Sequence, residues 1–145
     1  MSDLQKTDIK LISDYLVKIV IKLPQGDDDG VAVCGMYLDT TIIGDLDQTA
    51  WNMCGCDEEK KASQFGITKL VSGEARRELD GQIVLEALLR ISSTDPVFIK
   101  SVFDEYINGF QDWIYPSIRE YQSHEGIIVK LDSRPMGWDI QVTPN

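Results

Sequence analysis

Histidine is nearly absent from this sequence, since His124 is the only one among 145 residues. A lone histidine can act as a general base, but the position of His124 between a predicted helix and strand is more typical of a structural or solvated side chain. The sequence also lacks a Gly-Lys-Ser/Thr phosphate loop, a Gly-x-Ser-x-Gly nucleophile motif and a His-Glu-x-x-His zinc motif. We therefore expect a protein that is not an enzyme and has no catalytic residue.

Cysteine is scarce as well, with Cys34, Cys54 and Cys56 as the only three. An odd number of cysteines does not predict a disulfide framework. Structural zinc sites space paired ligands by two to four residues, whereas a single residue separates Cys54 from Cys56. The acidic run 27–29 resembles a calcium loop in composition only, because its carboxylates are adjacent and not alternate. We expect reduced thiols, no metal and no cofactor.

Long apolar runs are missing too. The longest, residues 16–23, is interrupted by two lysines and falls short of the roughly 20 residues that cross a bilayer. The first residues lack the basic-then-apolar order of a signal peptide, so we predict a cytoplasmic protein without a membrane association. With 43% hydrophobic and 26% charged residues, the chain has the composition of a folded protein. Its length predicts a single globular domain over residues 1–145.

Basic residues are absent from the segment between Leu23 and Glu59, although the whole chain has 14 of them against 24 acids and a net charge of −10. This acidic segment contains nine acids: Asp27, Asp28, Asp29, Asp39, Asp45, Asp47, Asp57, Glu58 and Glu59. The rest of the chain has 15 acids and 14 bases and is nearly neutral. Phosphate contacts need clustered Lys and Arg, so direct binding of nucleic acid is not expected. A basic protein partner is compatible with this charge.

The acidic segment also contains Met36, Tyr37, Trp51 and Met53, which are residue types enriched at protein interfaces. We predict that the nine acids and Trp51 form one acidic face that binds the partner, with the charge steering the encounter. The alternatives are a solvated acidic surface and a Trp51 that belongs to the core.

In the first third of the chain, the pattern predicts a helix over about residues 2–14 and a strand over Tyr15–Leu23, where apolar residues alternate with lysines. A helix through the whole region is the competing interpretation. After a loop at 24–30, we expect a second strand at Val31–Leu38, antiparallel to the first, and at Thr40–Ile43 either a third strand or a continuation of the second. Residues 45–56 are ambiguous and predict at most one helical turn carrying Trp51.

Further along, residues 67–71 and 83–91 are predicted strands, although a helix over 83–91 also fits. Asp80-Gly81 indicates a two-residue hairpin turn. Pro96 begins a helix that Thr94 or Asp95 can cap and that Asn108-Gly109 should stop, and Pro116 should kink a second helical piece over about 111–122. A C-terminal β-hairpin pairs 127–131 with 138–142. The predicted fold class is α+β, an antiparallel sheet with helices packed on one face.

The composition therefore favours a non-catalytic inhibitor of a basic partner, of the toxin-immunity or anti-defence type. The analogy is one of size and acidity and has no motif behind it. A toxin nuclease offers a positively charged cleft that an acidic protein can occupy. One alternative is a small acidic secretion chaperone for an effector, which would bind through apolar grooves. The other is a small-ligand-binding protein or an enzyme that uses His124, Glu125 and tyrosines.

Overall fold

The computed structural model describes residues 11–25, 28–114 and 137–145. Within these ranges, four strands form one sheet: β1 (Ser13–Gln25), β2 (Gly66–Arg77), β3 (Gln82–Ser93) and β4 (Gly137–Pro144). The same ranges contain four α-helices: α1 (Asp28–Thr40), α2 (Ile42–Met53), α3 (Glu58–Gln64) and α4 (Pro96–Gly109). The fold is α+β, as the sequence predicts.

The strands are ordered β2-β3-β1-β4, and every neighbouring pair is antiparallel. Helices α1 to α3 connect β1 to β2, a hairpin connects β2 to β3, and α4 precedes β4. Each helical connection therefore joins two strands that run in the same direction with one strand between them. This is the connectivity of the split β-α-β, or ferredoxin-like, arrangement. A shared fold carries no information about function by itself.

All the helices that contribute to the core pack on one face of the sheet, here called the inner face. Alternation along β1 and β3 puts their apolar residues on that face, where cross-strand partners such as Val17 and Leu89 meet. The core cluster joins these strand residues to α1, α2 and α4 through side chains that include Leu38, Leu46 and Phe103. The prediction of helices on one face is confirmed.

Two predicted strands are wrong. Residues Val31–Leu38 and Thr40–Ile43 belong to α1 and α2. In α1, Cys34, Tyr37 and Leu38 are buried, a spacing that places them on one side of a helix. In α2 the buried residues are Ile42, Leu46 and Ala50, each four residues after the last, so the ambiguous region 45–56 lies mostly in a three-turn helix. The first strand therefore pairs with β3 and β4.

The strands predicted at 15–23, 67–71, 83–91 and 138–142 are confirmed with longer bounds. The turn between β2 and β3 has three residues, because the Glu78 N–H bonds the Gln82 carbonyl and the Gly81 N–H bonds the Glu78 carbonyl. The two-residue turn was therefore wrong. Gly81 adopts φ = +87°, as the left-handed position of a three-residue hairpin requires, and the Asp80 carboxylate accepts the Gln82 N–H at 2.9 Å.

The cap of α4 is Asp95, whose carboxylate accepts the Val97 N–H at 3.0 Å. The α-helix ends at Gly109, where the sequence predicts its end. The expected left-handed exit from the helix is wrong, because the chain continues without a break into a π-helical turn at Phe110–Ile114. Phe110 is fully buried, and its burial in the core favours this continuation. The C-terminal strand is confirmed as β4. Its predicted hairpin partner at 127–131, the rest of the piece at 111–122 with Pro116, and residues 2–10 of the predicted N-terminal helix lie outside the described residues. The described end of that helix is wrong, because Ser13 and Asp14 already belong to β1 and pair with β3.

Candidate functional site

The acidic segment folds into three consecutive helices, with α1 packed on α2 and α2 packed on α3. We call residues 28–64 the acidic helical layer. It contains eight acids (Asp28, Asp29, Asp39, Asp45, Asp47, Asp57, Glu58 and Glu59) and two bases, Lys60 and Lys61, which gives a charge of −6. The other 108 residues have 16 acids and 12 bases, which gives −4. More than half of the net charge thus lies on one quarter of the chain.

Asp28 and Asp39 lie at opposite ends of α1. Asp28 is exposed and pairs with Arg77, whose Nη2 is 3.2 Å from the carboxylate. Asp39 is also exposed, and it has no ion-pair partner among the described residues. Residue 29 is helical, but its side chain is outside the described set, as is all of Asp27.

The Asp45 side chain is partly buried and contacts α1. Its carboxylate accepts the Tyr37 hydroxyl hydrogen at 2.8 Å, and the Tyr37 and Tyr106 hydroxyl oxygens are 2.8 Å apart. Because the single hydroxyl hydrogen of Tyr37 is used on Asp45, Tyr106 must donate to Tyr37. Burial, reinforced by Tyr106 and Asp45, raises the pKa of Tyr37 above its usual value, and burial likewise raises that of Tyr106. Both hydroxyls stay protonated and tie α1, α2 and α4 together.

Asp47 lies on the other side of α2, since two residues subtend about 200° around a helix. Lys61 of α3 has its Nζ 3.1 Å from Asp47 Oδ1, an ion pair without hydrogen-bond geometry. Trp51 follows Asp47 by four residues and shares its side of the helix. Its side chain is partly buried and does not belong to the core cluster. Trp51 thus borders the junction of α2 with α3.

The remaining acids form the start of α3. The Asp57 carboxylate caps the helix by accepting the Lys60 N–H at 3.1 Å, and Glu58 and Glu59 occupy the first turn. Both glutamates are exposed and lack an ion-pair partner in the part of the chain that the structure describes. A helix N-terminus favours such negative charges, so they are stable there without a cation.

The structure thus divides the described acids of the segment into two groups. Asp28, Asp45 and Asp47 are engaged by Arg77, Tyr37 and Lys61, and Asp57 caps α3. Three further acids are exposed and have no ion-pair partner in the described part of the chain: Asp39, Glu58 and Glu59. The engaging side chains Arg77, Tyr37 and Lys61 were not predicted from the sequence. The four-residue spacing of Asp47 and Trp51 is visible in the sequence, whereas the partners of Asp28, Asp45 and Asp47 come from other helices and strands.

The cysteines do not come together as metal ligands. Cys34 and Cys54 are buried and Cys56 is exposed, all as free thiols, and burial raises the pKa of Cys34 to about 12. Within the described ranges, no group of three or more His, Cys, Asp or Glu side chains is placed to hold a metal ion. None of the helices described is long and apolar enough to cross a membrane. His124 and Glu125 lie outside the described residues.

Comparison of the chain with family models, with curated proteins and with solved structures finds no match in any of the three.

Proposed function

We propose that the protein is a non-catalytic inhibitor that binds a basic protein partner through the acidic helical layer, in the manner of toxin-immunity or anti-defence proteins. The partner we propose is a protein with a positively charged cleft, such as a toxin nuclease.

One observation carries this proposal: apart from Asp27, which lies outside the described residues, the acids of the segment without bases lie on or cap three consecutive packed helices, and three of them are exposed without an ion-pair partner among the described residues. A protein surface usually intersperses both signs of charge. A surface of one sign speeds the encounter with a partner of the opposite sign by long-range attraction. A nuclease cleft attracts phosphates through its positive charge, and exposed carboxylates can bind in the same cleft.

Trp51 supplies the apolar part of the proposed interface. It is partly buried and lies one turn after Asp47 on the same side of α2. Tryptophan is enriched among the residues that dominate binding energy. Charge would steer the partner to the layer, and Trp51 would slow its dissociation.

The alternative of an effector chaperone finds less support in the geometry. A chaperone of that type needs a continuous apolar groove. The large exposed apolar side chains that the structure describes are distributed over separate elements: Leu11, Ile12, Met36, Met53, Val71, Leu79, Val97 and Trp138. Apart from the neighbours Leu11 and Ile12, each lies on a different helix, strand or turn.

The test uses a layer variant in which the three exposed acids without ion-pair partners are neutralised: Asp39→Asn, Glu58→Gln and Glu59→Gln. This set leaves the Asp57 cap and the engaged acids intact. The matched control neutralises three exposed acids elsewhere: Asp14→Asn, Glu105→Gln and Asp112→Asn. Both variants change the net charge by +3.

The wild-type chain is used as bait to isolate its partner, whose affinity for each variant is then measured by calorimetry at low and moderate salt. We expect the layer variant to bind at least about tenfold more weakly, as for the loss of roughly 1.4 kcal/mol or more, and the control to bind within about twofold of wild type. Equal affinities for all three proteins, or a partner without a positive surface, would refute the proposal.

A further inference from the structure

On the outer face of the sheet, which is the face opposite the helices, charged side chains near the β2–β3 turn form ion pairs. Glu86 on β3 lies between two cations, with Lys18 Nζ at 2.9 Å and Arg76 Nη1 at 3.0 Å. Arg76 also contacts Glu78 at 3.0 Å and Glu74 at 3.9 Å. Hydrogen bonds from Lys18 and then Arg76 hold the pKa of Glu86 below its usual value. Lys18, Glu86 and Arg76 therefore form one cluster of ion pairs in this half of the face.

The other half of the same face is different, because two cations stand directly opposite each other. Lys69 on β2 is the cross-strand partner of Arg90 on β3, so their Cβ atoms are about 5 Å apart. Like charges at such positions destabilise a sheet. Neither side chain has an ion-pair partner among the described residues, in a protein that has ten more acids than bases.

A β-bulge creates this juxtaposition. Ile67 pairs with Ile91, and the next paired residue of β2 is Lys69, opposite Arg90. Without the bulge, Thr68 would occupy the position opposite Arg90, and Lys69 would turn to the inner face. Instead, the Thr68 hydroxyl donates to the Arg90 carbonyl at 3.0 Å. Bulges on edge strands commonly re-aim a side chain next to a functional site.

The described residues around Arg90 do not neutralise its guanidinium. Its outer-face neighbour on β1 is Leu16, and the next residues of β3 on the same face are Leu88 and Ser92. Asp14, the partner of Ser92, is the nearest carboxylate by register and makes no ion pair with Arg90. The Arg90 Nε is buried and has no hydrogen-bond partner among the described residues, an arrangement that is uncommon in folded proteins.

We propose that Lys69 and Arg90 form a binding site for an oxyanion, either a phosphate or a carboxylate group of a ligand. The exposed Lys69 ammonium supplies a mobile point charge, and the Arg90 guanidinium supplies planar donors that suit two oxygens of one group. Binding would offset the repulsion of the two cations. The site lies on the opposite side of the sheet from the acidic helical layer and does not depend on the function proposed for that layer.

The test is an NMR titration of the isotope-labelled full chain with inorganic phosphate and, separately, with acetate. Sodium chloride at the same ionic strength serves as the blank. Lys69→Gln and Arg90→Gln are the test variants, and the exposed Lys69→Gln keeps the test valid if Arg90→Gln fails to fold. The control variant is Lys22→Gln, an exposed lysine on the same face that lies opposite Val84.

We expect saturable shifts of the Lys69 and Arg90 amide signals with at least one of the two anions, and the anion with the stronger binding identifies the ligand class. Each test variant should bind that anion roughly tenfold more weakly, as for the loss of one charge-assisted hydrogen bond, while Lys22→Gln retains the wild-type affinity. Shifts no larger than those in sodium chloride, or equal affinities in the test and control variants, would overturn the proposal.

Discussion

The hydrogen-bonded series Tyr106–Tyr37–Asp45 allows a prediction whose sign and order follow from the geometry. Removing the Tyr37 hydroxyl breaks both bonds and leaves the Tyr106 hydroxyl buried without this acceptor. Removing the Tyr106 hydroxyl breaks one bond only, and Tyr37 continues to donate to Asp45. Phenylalanine at either position keeps the ring contacts with Phe110, whose centroid lies 5.8 Å from Tyr37 and 6.1 Å from Tyr106.

A neutral hydrogen bond contributes about 1 kcal/mol to stability, and one to a charged group about 1.5–3 kcal/mol. We therefore expect Tyr37→Phe to lower the free energy of unfolding by about 2–4 kcal/mol and Tyr106→Phe by about 1 kcal/mol. The double variant should lose at least about 1 kcal/mol less than the sum, because it leaves no orphaned hydroxyl.

Urea denaturation of the wild type and the three variants measures all four free energies of unfolding. An equal slope of free energy against urea concentration in all four proteins checks two-state behaviour. Equal losses for the two single variants, together with an additive double variant, would refute the assignment of Tyr106 as donor and Tyr37 as relay.

Three further predictions concern separate parts of the fold. Glu86→Gln should lower the free energy of unfolding by up to about 1 kcal/mol at pH 7. Because the folded pKa of Glu86 lies below its unfolded value, this difference from wild type should vanish as the pH falls through the folded pKa. Denaturation at a series of pH values measures it. With a thiol reagent at pH 8, exposed Cys56 should react at once and Cys34 only on unfolding, since its pKa is about 12, and mass spectrometry of the digested protein identifies the modified residue. In thermal denaturation, Gly81→Ala should lower the free energy of unfolding by about 1 kcal/mol, because alanine is strained at positive φ. Gly35→Ala should raise it by about 0.5–1 kcal/mol, because Gly35 lies inside α1 with no atom near the new methyl group.

The opposite outcomes would contradict the corresponding contacts. These are a Glu86→Gln difference that persists in acid, rapid modification of Cys34 in the folded protein, and a Gly81→Ala variant as stable as wild type.

The sequence indicated most of the sheet, because β1 and β3 alternate apolar and polar residues and the turn residue Gly81 separates β2 from β3. It indicated α4 through the Asp95 cap and Pro96. These patterns depend on residues close together in the sequence, and the elements that they predict are present in the folded protein.

The helices α1 and α2 were mistaken for strands for a physical reason. Val31, Val33 and Ile43 are β-branched and pack against the core while only partly buried, so the helices are apolar on more than one side. A short apolar run of this kind cannot be assigned by periodicity alone. The four-residue spacing of Ile42, Leu46 and Ala50 was the local signal that could have corrected it.

The details of the candidate surfaces were beyond the sequence because they depend on contacts between distant residues. Arg77 and Lys61 contact Asp28 and Asp47 only in the folded protein. The bulge that brings Lys69 opposite Arg90 cannot be predicted from the composition of β2. Charge content could be predicted from the sequence, but charge pairing could not.

The most direct test of the acidic helical layer is a hydrogen-exchange footprint of the protein in complex with its isolated partner. Our account predicts new protection of backbone amides in residues 28–64, strongest around Trp51 and the start of α3, with the sheet and α4 unchanged. Protection confined to the sheet or to α4, with residues 28–64 exchanging as in the free protein, would contradict it.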